Sequence, residues 1–275
     1  MNGPLRMKRL FVLDRIKKKI PHIVGGEISV MKWRVLGCHS PFPGPGGATP
    51  GYLLEAEGRR ILIDCGSGVL SKLAQMCPPY RLDAVILSHL HHDHIADFFV
   101  LQYAVGTAMR RGWRREPLPV YAPTRPEKWG NLLSYGDAIR LHPIREGEKC
   151  ILGGWEATFF RTDHAVPCFA VRLEGFGRTI LYGADAGPKT DWTRMAREPD
   201  LFVCEGTFLE RDLPEEPVGH LSVRQAAEAA ELLRARGLLL THLFPEYGRA
   251  EIEEEVKGSY SGRWWLAETG LVLPL

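Results

Sequence analysis

Apolar and polar positions change rhythm several times along this 275-residue chain. From Met31 the stretch KWRVLGC is apolar and partly β-branched, and HSPFPGPGGATPG after it is a loop dense in proline and glycine. YLLEAEGRRILID has the form of a hairpin with Glu57-Gly58 at its turn, SGVLSKLAQM has helical spacing, and LDAVILS is a short buried strand. HIADFFVLQYAVGTAMRR predicts a helical or partly helical segment, PLPVYA a strand, and a connector rich in Pro and Trp follows. ATFFRTDH, CFAVRLEG, RTILYGAD and PDLFVCEG predict four further strands. The clearest helix is SVRQAAEAAELLRARG, with Ser222 as its N-cap and Gly237 as its C-terminal stop. LLLTHLF then reads as a strand and RAEIEEEVKG as a last helix.

Strands first in hairpins and then alternating with helices, in two comparable halves, predict two β-sheets face to face with helices outside. That is an α/β layered sandwich in one domain, spanning 31–275. Residues 1–30 read as a basic N-terminal extension, and Met31 is a candidate start of the folded unit. Residues 1 to 32 hold eight Lys/Arg against two acids.

Composition narrows the class. Hydrophobic residues at 45% and charged residues at 25% are those of an ordinary soluble protein. No run approaches the roughly 18 apolar residues of a membrane span, and the N-terminus lacks a secretory h-region, so the expectation is a cytoplasmic protein with no membrane partner. Six scattered cysteines with no CxxC pair argue for reduced thiols rather than a disulfide framework or a zinc ribbon. A net charge of +2 is too small to predict nucleic-acid binding. The basic patch RRGWRR at 110–115 could touch a phosphate backbone or serve a homodimer contact, although basic runs more often are solvated surface.

Candidate chemistry is concentrated in SHLHHDH, residues 88–94, where a predicted strand gives way to a loop. Strand ends are where open α/β sheets place their sites. His89 and His91 are two apart and point the same way from extended backbone, while Asp93 and His94 lie where the chain turns. Imidazole and carboxylate ligands suit zinc, and also iron or manganese. Four ligands in two groups imply two metals, each needing partners from elsewhere. His164, Asp185 and His242, each at a predicted strand end, are the candidates. A lone strand-end histidine is more often a satisfied core or surface residue, but this cluster demands partners. An aspartate between two metals can bridge them, and such pairs hold a hydroxide for in-line attack on phosphate. His92 is the odd member, read as a supporting or surface residue.

SHLHHDH resembles the HxHxDH signature of the metallo-β-lactamase superfamily, and LIDCGSG resembles its Asp-x-Gly motif, in which Asp64 would support the metal loop. EGTF, GHLS and LTHLFPEY are similar to the ribonuclease Z and phosphodiesterase branch. The resemblance runs from about residue 32 to the C-terminus. It implies a four-layer αβ/βα sandwich with two metals, most readily zinc, at its edge. One metal would take His89, His91 and His164, the other Asp93, His94 and His242, and Asp185 would bridge. Glu205 and His220 hold the positions of an assisting Glu–His pair. The implied activity is a dinuclear-metal phosphodiesterase acting on a small phosphodiester or a nucleic-acid end. Two departures weigh against a dedicated ribonuclease Z-type tRNA 3′ endonuclease. Only 21 positions separate His164 from Asp185, where that enzyme carries its tRNA arm, and Cys204 replaces the family's His before the Glu. A lactonase or thioesterase-like hydrolase and a non-catalytic metal-dependent binding protein are the remaining alternatives.

Overall fold

In the computed structural model, which describes residues 31–275, the strands fall into two seven-stranded sheets. The first runs in chain order through β1 (Lys32–Gly37), β2 (Gly51–Ala56), β3 (Arg59–Ile63), β4 (Ala84–Ile86), β5 (Leu118–Ala122) and β6 (Ile139–Pro143). The second holds β7 (Lys149–Leu152), β8 (Trp155–Arg161), β9 (Phe169–Gly175), β10 (Arg178–Tyr182), β11 (Leu201–Glu205), β12 (Gly237–Thr241) and β13 (Arg263–Leu266). The final strand, β14 (Val272–Pro274), returns to pair with β1 at the edge of the first sheet. In each sheet antiparallel hairpins lead into parallel strands, β3 to β6 in one and β10 to β13 in the other.

The central strands are apolar on both faces because both faces are covered. Ile61 and Ile63 of β3 and Ala84 and Ile86 of β4 point into the layer between the sheets, where they meet Trp155, Phe159, Val171 and Ile180. Leu62 and Val85 point outward onto α1 (Val69–Ala74) and α3 (Phe98–Arg110), which bury Val69, Leu73, Phe98, Leu101 and Val105. Phe202 and Cys204 of β11 face outward onto α5 (Val223–Leu232) and α6 (Arg249–Val256). Helix, sheet, sheet, helix is the four-layer sandwich expected. The expected N-terminal extension, 1–30, lies outside the described residues.

The stretch from His94, expected to be helical or partly helical, is helical in two pieces. The turn α2 (His92–Ile95) ends, and α3 begins only at Phe98, because Asp97 is tied to the loop after β3. Its N–H donates to Cys65 O at 3.0 Å and its carboxylate accepts from Leu70 N at 2.9 Å. Gly237 does not stop α5. It opens β12, and the turn after the helix is made by Arg234 at φ 51°. The connector after β5 contains the short α4 (Glu127–Gly130) and β6, and β7, β13 and β14 complete the sheets.

Arg114 of the basic patch is not free surface. Its guanidinium donates to Tyr80 O at 2.7 Å, Leu82 O at 2.8 Å and Glu116 O at 2.7 Å, while Arg111 lies over the exposed Trp113 ring. Among the described residues no helix is long and apolar enough to cross a membrane.

Candidate metal centre

The carboxyl ends of β3, β4, β10, β11 and β12 meet at one edge of the sandwich. At or just beyond these ends lie Asp64, His89, Asp185, Glu205 and His242. Three of the residues flanking the centre hold left-handed backbone without being glycine: Asp64 at φ 56°, Ala184 at 53° and His242 at 57°. Such conformations cost about 1–3 kcal/mol each and persist where surrounding bonds over-determine them.

All seven candidate ligands converge, in two groups. His89, His91, His164 and Asp185 each bring one ligand atom to within 4.8 Å of the others, and so do Asp93, His94 and His242. Asp185, His220 and His242 meet the same limit. In the first pocket His91 Nδ1 lies 3.1 Å from His89 Nε2 and 3.0 Å from His164 Nε2. Asp185 Oδ2 completes it, 3.3 Å from His89 Nε2. In the second pocket His94 Nε2 and His242 Nε2 are 3.1 Å apart, and Asp93 Oδ2 is 3.7 and 3.5 Å from them. Asp185 Oδ1 faces this pocket, 3.2 Å from both imidazoles. One carboxylate thus turns one oxygen to each pocket.

The outer bonds of the imidazoles decide what those contacts mean. His94 Nδ1 meets Asp64 Oδ2 at 2.8 Å and His164 Nδ1 meets Gly219 O at 2.8 Å, and both partners only accept. His89 Nδ1 meets the Ser88 hydroxyl at 3.0 Å and His242 Nδ1 the Thr207 hydroxyl at 2.8 Å. Ser88 donates its proton to Asp64 Oδ2 and Thr207 donates its own to Glu205 Oε2, so these hydroxyls accept from the rings. Nδ1 therefore carries the proton in all four, and Nε2 turns a lone pair inward. Such outer partners orient metal-binding histidines.

A divalent ion fits this donor set. In the second pocket the lone pairs of His94 and His242, facing each other at 3.1 Å, repel unless a cation stands between them. Tetrahedral nitrogen donors ~2.0–2.1 Å from zinc lie about 3.4 Å apart. Asp185 Oδ1 is buried and accepts no hydrogen bond. Asp64, Asp185 and Glu205 are all but fully buried, and with Asp93 they place four carboxylates in one cluster that requires positive charge. The same demand shows in His94. Burial lowers its pKa, but the carboxylates of Asp185, Asp93 and Asp64 outweigh that and hold it well above the usual imidazole range. Burial and the neighbouring His94 push His89 down to about 4.

Glu205 and His220 stand beside the pockets. His220 Nδ1 is 2.9 Å from Glu205 Oε1 and 4.0 Å from Asp185 Oδ2. Burial disfavours the imidazolium, yet the Glu205 carboxylate outweighs it and raises His220 to about 9. Glu205 also accepts from Ala186 N at 2.8 Å and Leu221 N at 3.2 Å, which locks its orientation. Cys204 points the other way, into the core under α5. His92 is exposed, edge-on to Trp129 at 4.6 Å and turned from the cluster.

Sequence reasoning found the inward-facing residues and missed most of those that aim them. Ser88 and Thr207 sit inside the motif strings and were reachable there. Gly219 likewise lies inside GHLS, whereas Ser40, which donates to Asp93 Oδ2 at 2.9 Å, carries no local signal.

With this geometry in view, the chain is matched to known proteins. The profile of the Beta-lactamase superfamily domain matches residues 59–243. The probable metallo-hydrolase YhfI of Bacillus subtilis is 35% identical over 88% of this chain and 99% of its own. The crystal structure of YhfI superposes with TM-score 0.81 at 33% identity, covering 89% and 99% of the two chains. A ribonuclease Z of Mycobacterium bovis is 28% identical over 80% of this chain and 88% of its own. A diphosphatase of the PhnP family shares the fold, with TM-score 0.68 at 19% identity over 90% and 97% of the chains.

Proposed function

We propose that this chain, which belongs to the beta-lactamase superfamily and is a metal-dependent hydrolase, cleaves phosphodiester bonds with two divalent ions held at the edge of its sandwich. The observation that carries this reading is Asp185, whose two oxygens face two separate donor sets. His89, His91 and His164 would hold one ion and Asp93, His94 and His242 the other, with Asp185 shared. Ions there supply Lewis acidity toward phosphoryl oxygens and lower the pKa of water toward neutrality. The donor set, imidazole with carboxylate and no thiolate, suits zinc first and manganese or iron next.

The rest of the work belongs to side chains. His220, held by Glu205 at the rim of both pockets, is placed to give a proton to the departing alkoxide and to steady negative charge on phosphoryl oxygens. Such a pair fits phosphoryl transfer, where charge builds on the phosphoryl oxygens and the leaving oxygen takes up a proton. Between His164 and Asp185 the chain forms only the β9–β10 hairpin, which supports a small substrate over a tRNA held by an arm. A relative named ribonuclease Z is in line with this reading.

The test is a comparison of substrates on one preparation. Protein stripped by chelation and reloaded with zinc, manganese or iron is assayed on bis(p-nitrophenyl) phosphate, cyclic nucleotides, pre-tRNA and a lactone. The diester is expected to be turned over and the lactone not. Lactone hydrolysis faster than diester hydrolysis would overturn the proposal.

A further inference from the structure

Behind the centre, in the layer between the sheets, three aromatic rings pack together. Trp33 stacks on Tyr52 with centroids 5.5 Å apart, and Tyr52 meets Tyr182 at 5.3 Å. All three are enclosed among apolar side chains. Phenylalanine would fill the same space, and a buried phenol costs free energy unless its hydroxyl finds a partner. Both hydroxyls do find one, each on the opposite sheet. Tyr182, the last residue of β10, donates to Asp64 Oδ2, just past β3, at 2.5 Å. Tyr52 of β2 shares a hydrogen bond of 2.6 Å with Thr241 Oγ1 at the end of β12.

These two partners are not arbitrary places in the core. Asp64 is the residue whose carboxylate holds His94, and Thr241 immediately precedes His242. The two imidazoles form the second pocket, one from each sheet, with Nε2 atoms 3.1 Å apart. Burial alone does not force the pairing, since the indole Nε1 of Trp33 in the same layer has no partner.

We infer that Tyr52 and Tyr182 are positioning residues that cross-tie the two sheets beneath the Asp93–His94–His242 pocket and set the spacing of His94 from His242. The inference rests on the two-pocket reading above. Tyr182 keeps the carboxylate of Asp64 aimed so that His94 stays protonated at Nδ1 and open at Nε2. Tyr52 keeps the end of β12 at the depth from which His242 turns back, in left-handed backbone, toward its partner. Without the ties the apolar layer still packs, but the two halves of the pocket are free to drift.

Tyr182→Phe, Tyr52→Phe and the double variant test this, with Thr241→Val removing Tyr52's partner while leaving the ring. Each full-length protein is stripped, titrated with Co²⁺ against a chromophoric chelator, and read by ion stoichiometry and the cobalt d–d spectrum. One ion should bind as in the wild type. The second should weaken by about 10–100-fold, as outer-partner losses do, with a changed spectrum. Trp33→Phe, which disturbs the packing and removes neither hydroxyl hydrogen bond, should lower Tm and leave second-ion affinity unchanged. Equal weakening by Trp33→Phe, or wild-type affinity and spectrum in both tyrosine variants, would overturn the inference while the two-pocket reading stands. A wild-type chain that takes up a single ion overturns that reading and this inference with it. Should a tyrosine variant not fold, Thr241→Val carries the test.

Discussion

His220 and Asp185 are 4.0 Å apart, yet their replacement has different consequences. His220 is not one of the seven candidate ligands, and its side chain reaches the outer partners of the imidazoles through the hydroxyl of Thr207, 3.4 Å from its Nδ1. His220→Ala is therefore expected to keep its metal and lose roughly 10²–10⁴-fold in kcat on a phosphodiester, the range of one acid–base group. Elemental analysis alongside the assay checks both halves, and an unchanged rate removes His220 from the chemistry. Asp185→Ala takes a donor from each pocket and should lower metal content itself. Gly66 is a residue whose identity is set by space. A Cβ there would lie 1.9 Å from Asp93 O and 2.2 Å from Thr49 Oγ1. Backbone cannot yield as a side-chain tip can, so Gly66→Ala should push the Asp93 loop outward. Reduced ion uptake, out of proportion to any drop in Tm, is the expected signature. The motif showed Gly66, but its reason lies in a chain segment 27 residues away.

At the scale of elements, what was readable was what is local. Helix α5 has its N-cap where the sequence places it. Ser222 Oγ accepts from Gln225 N at 3.1 Å, and the Gln225 side chain answers Ser222 N at 3.0 Å. Ser222→Ala should cost about 1 kcal/mol. For a chain of this size that lowers Tm by roughly 2–4 °C, and ion binding should be untouched. Calorimetry with a metal titration checks this, and a loss of ions would tie the cap to the centre. The other end of α5 was not readable. Arg234 adopts the left-handed turn that glycine usually makes, while Gly237 is needed against the Trp265 ring, 2.7 Å from where its Cβ would stand. Strands β6, β7, β13 and β14 lack the apolar run of the central strands, because they lie toward the sheet edges and stay partly exposed. Only pairing with a neighbour makes them strands.

For the whole molecule, the cluster of buried carboxylates couples metal to stability. An ion bound only by the folded chain stabilises it by about 2.7 kcal/mol when present at ~100 times its Kd. Removal by chelator should lower Tm by several degrees, and re-addition of zinc or manganese should restore it. Differential scanning calorimetry with and without chelator is the check, and an unmoved Tm would show that ions contribute nothing to the fold. Binding requires neutral imidazoles and ionised carboxylates, so loading should fall as pH falls. The Tm difference between loaded and stripped protein should shrink with it.

The sequence by itself determined the layered sandwich and the residues that crowd its edge. Periodicity is a local property, and four histidines in six positions leave few other meanings. It also marked Asp185, Glu205 and His220, through short strings around each. What only the tertiary structure decided is how those residues are aimed. Which nitrogen of each ring faces inward depends on partners as far off as Gly219 for His164 and Asp64 for His94. The link from Tyr182 to Asp64 spans 118 positions, and that from Tyr52 to Thr241 spans 189. Hydrogen bonds of that span arise from sheets packing face to face, and no spacing along the chain encodes them.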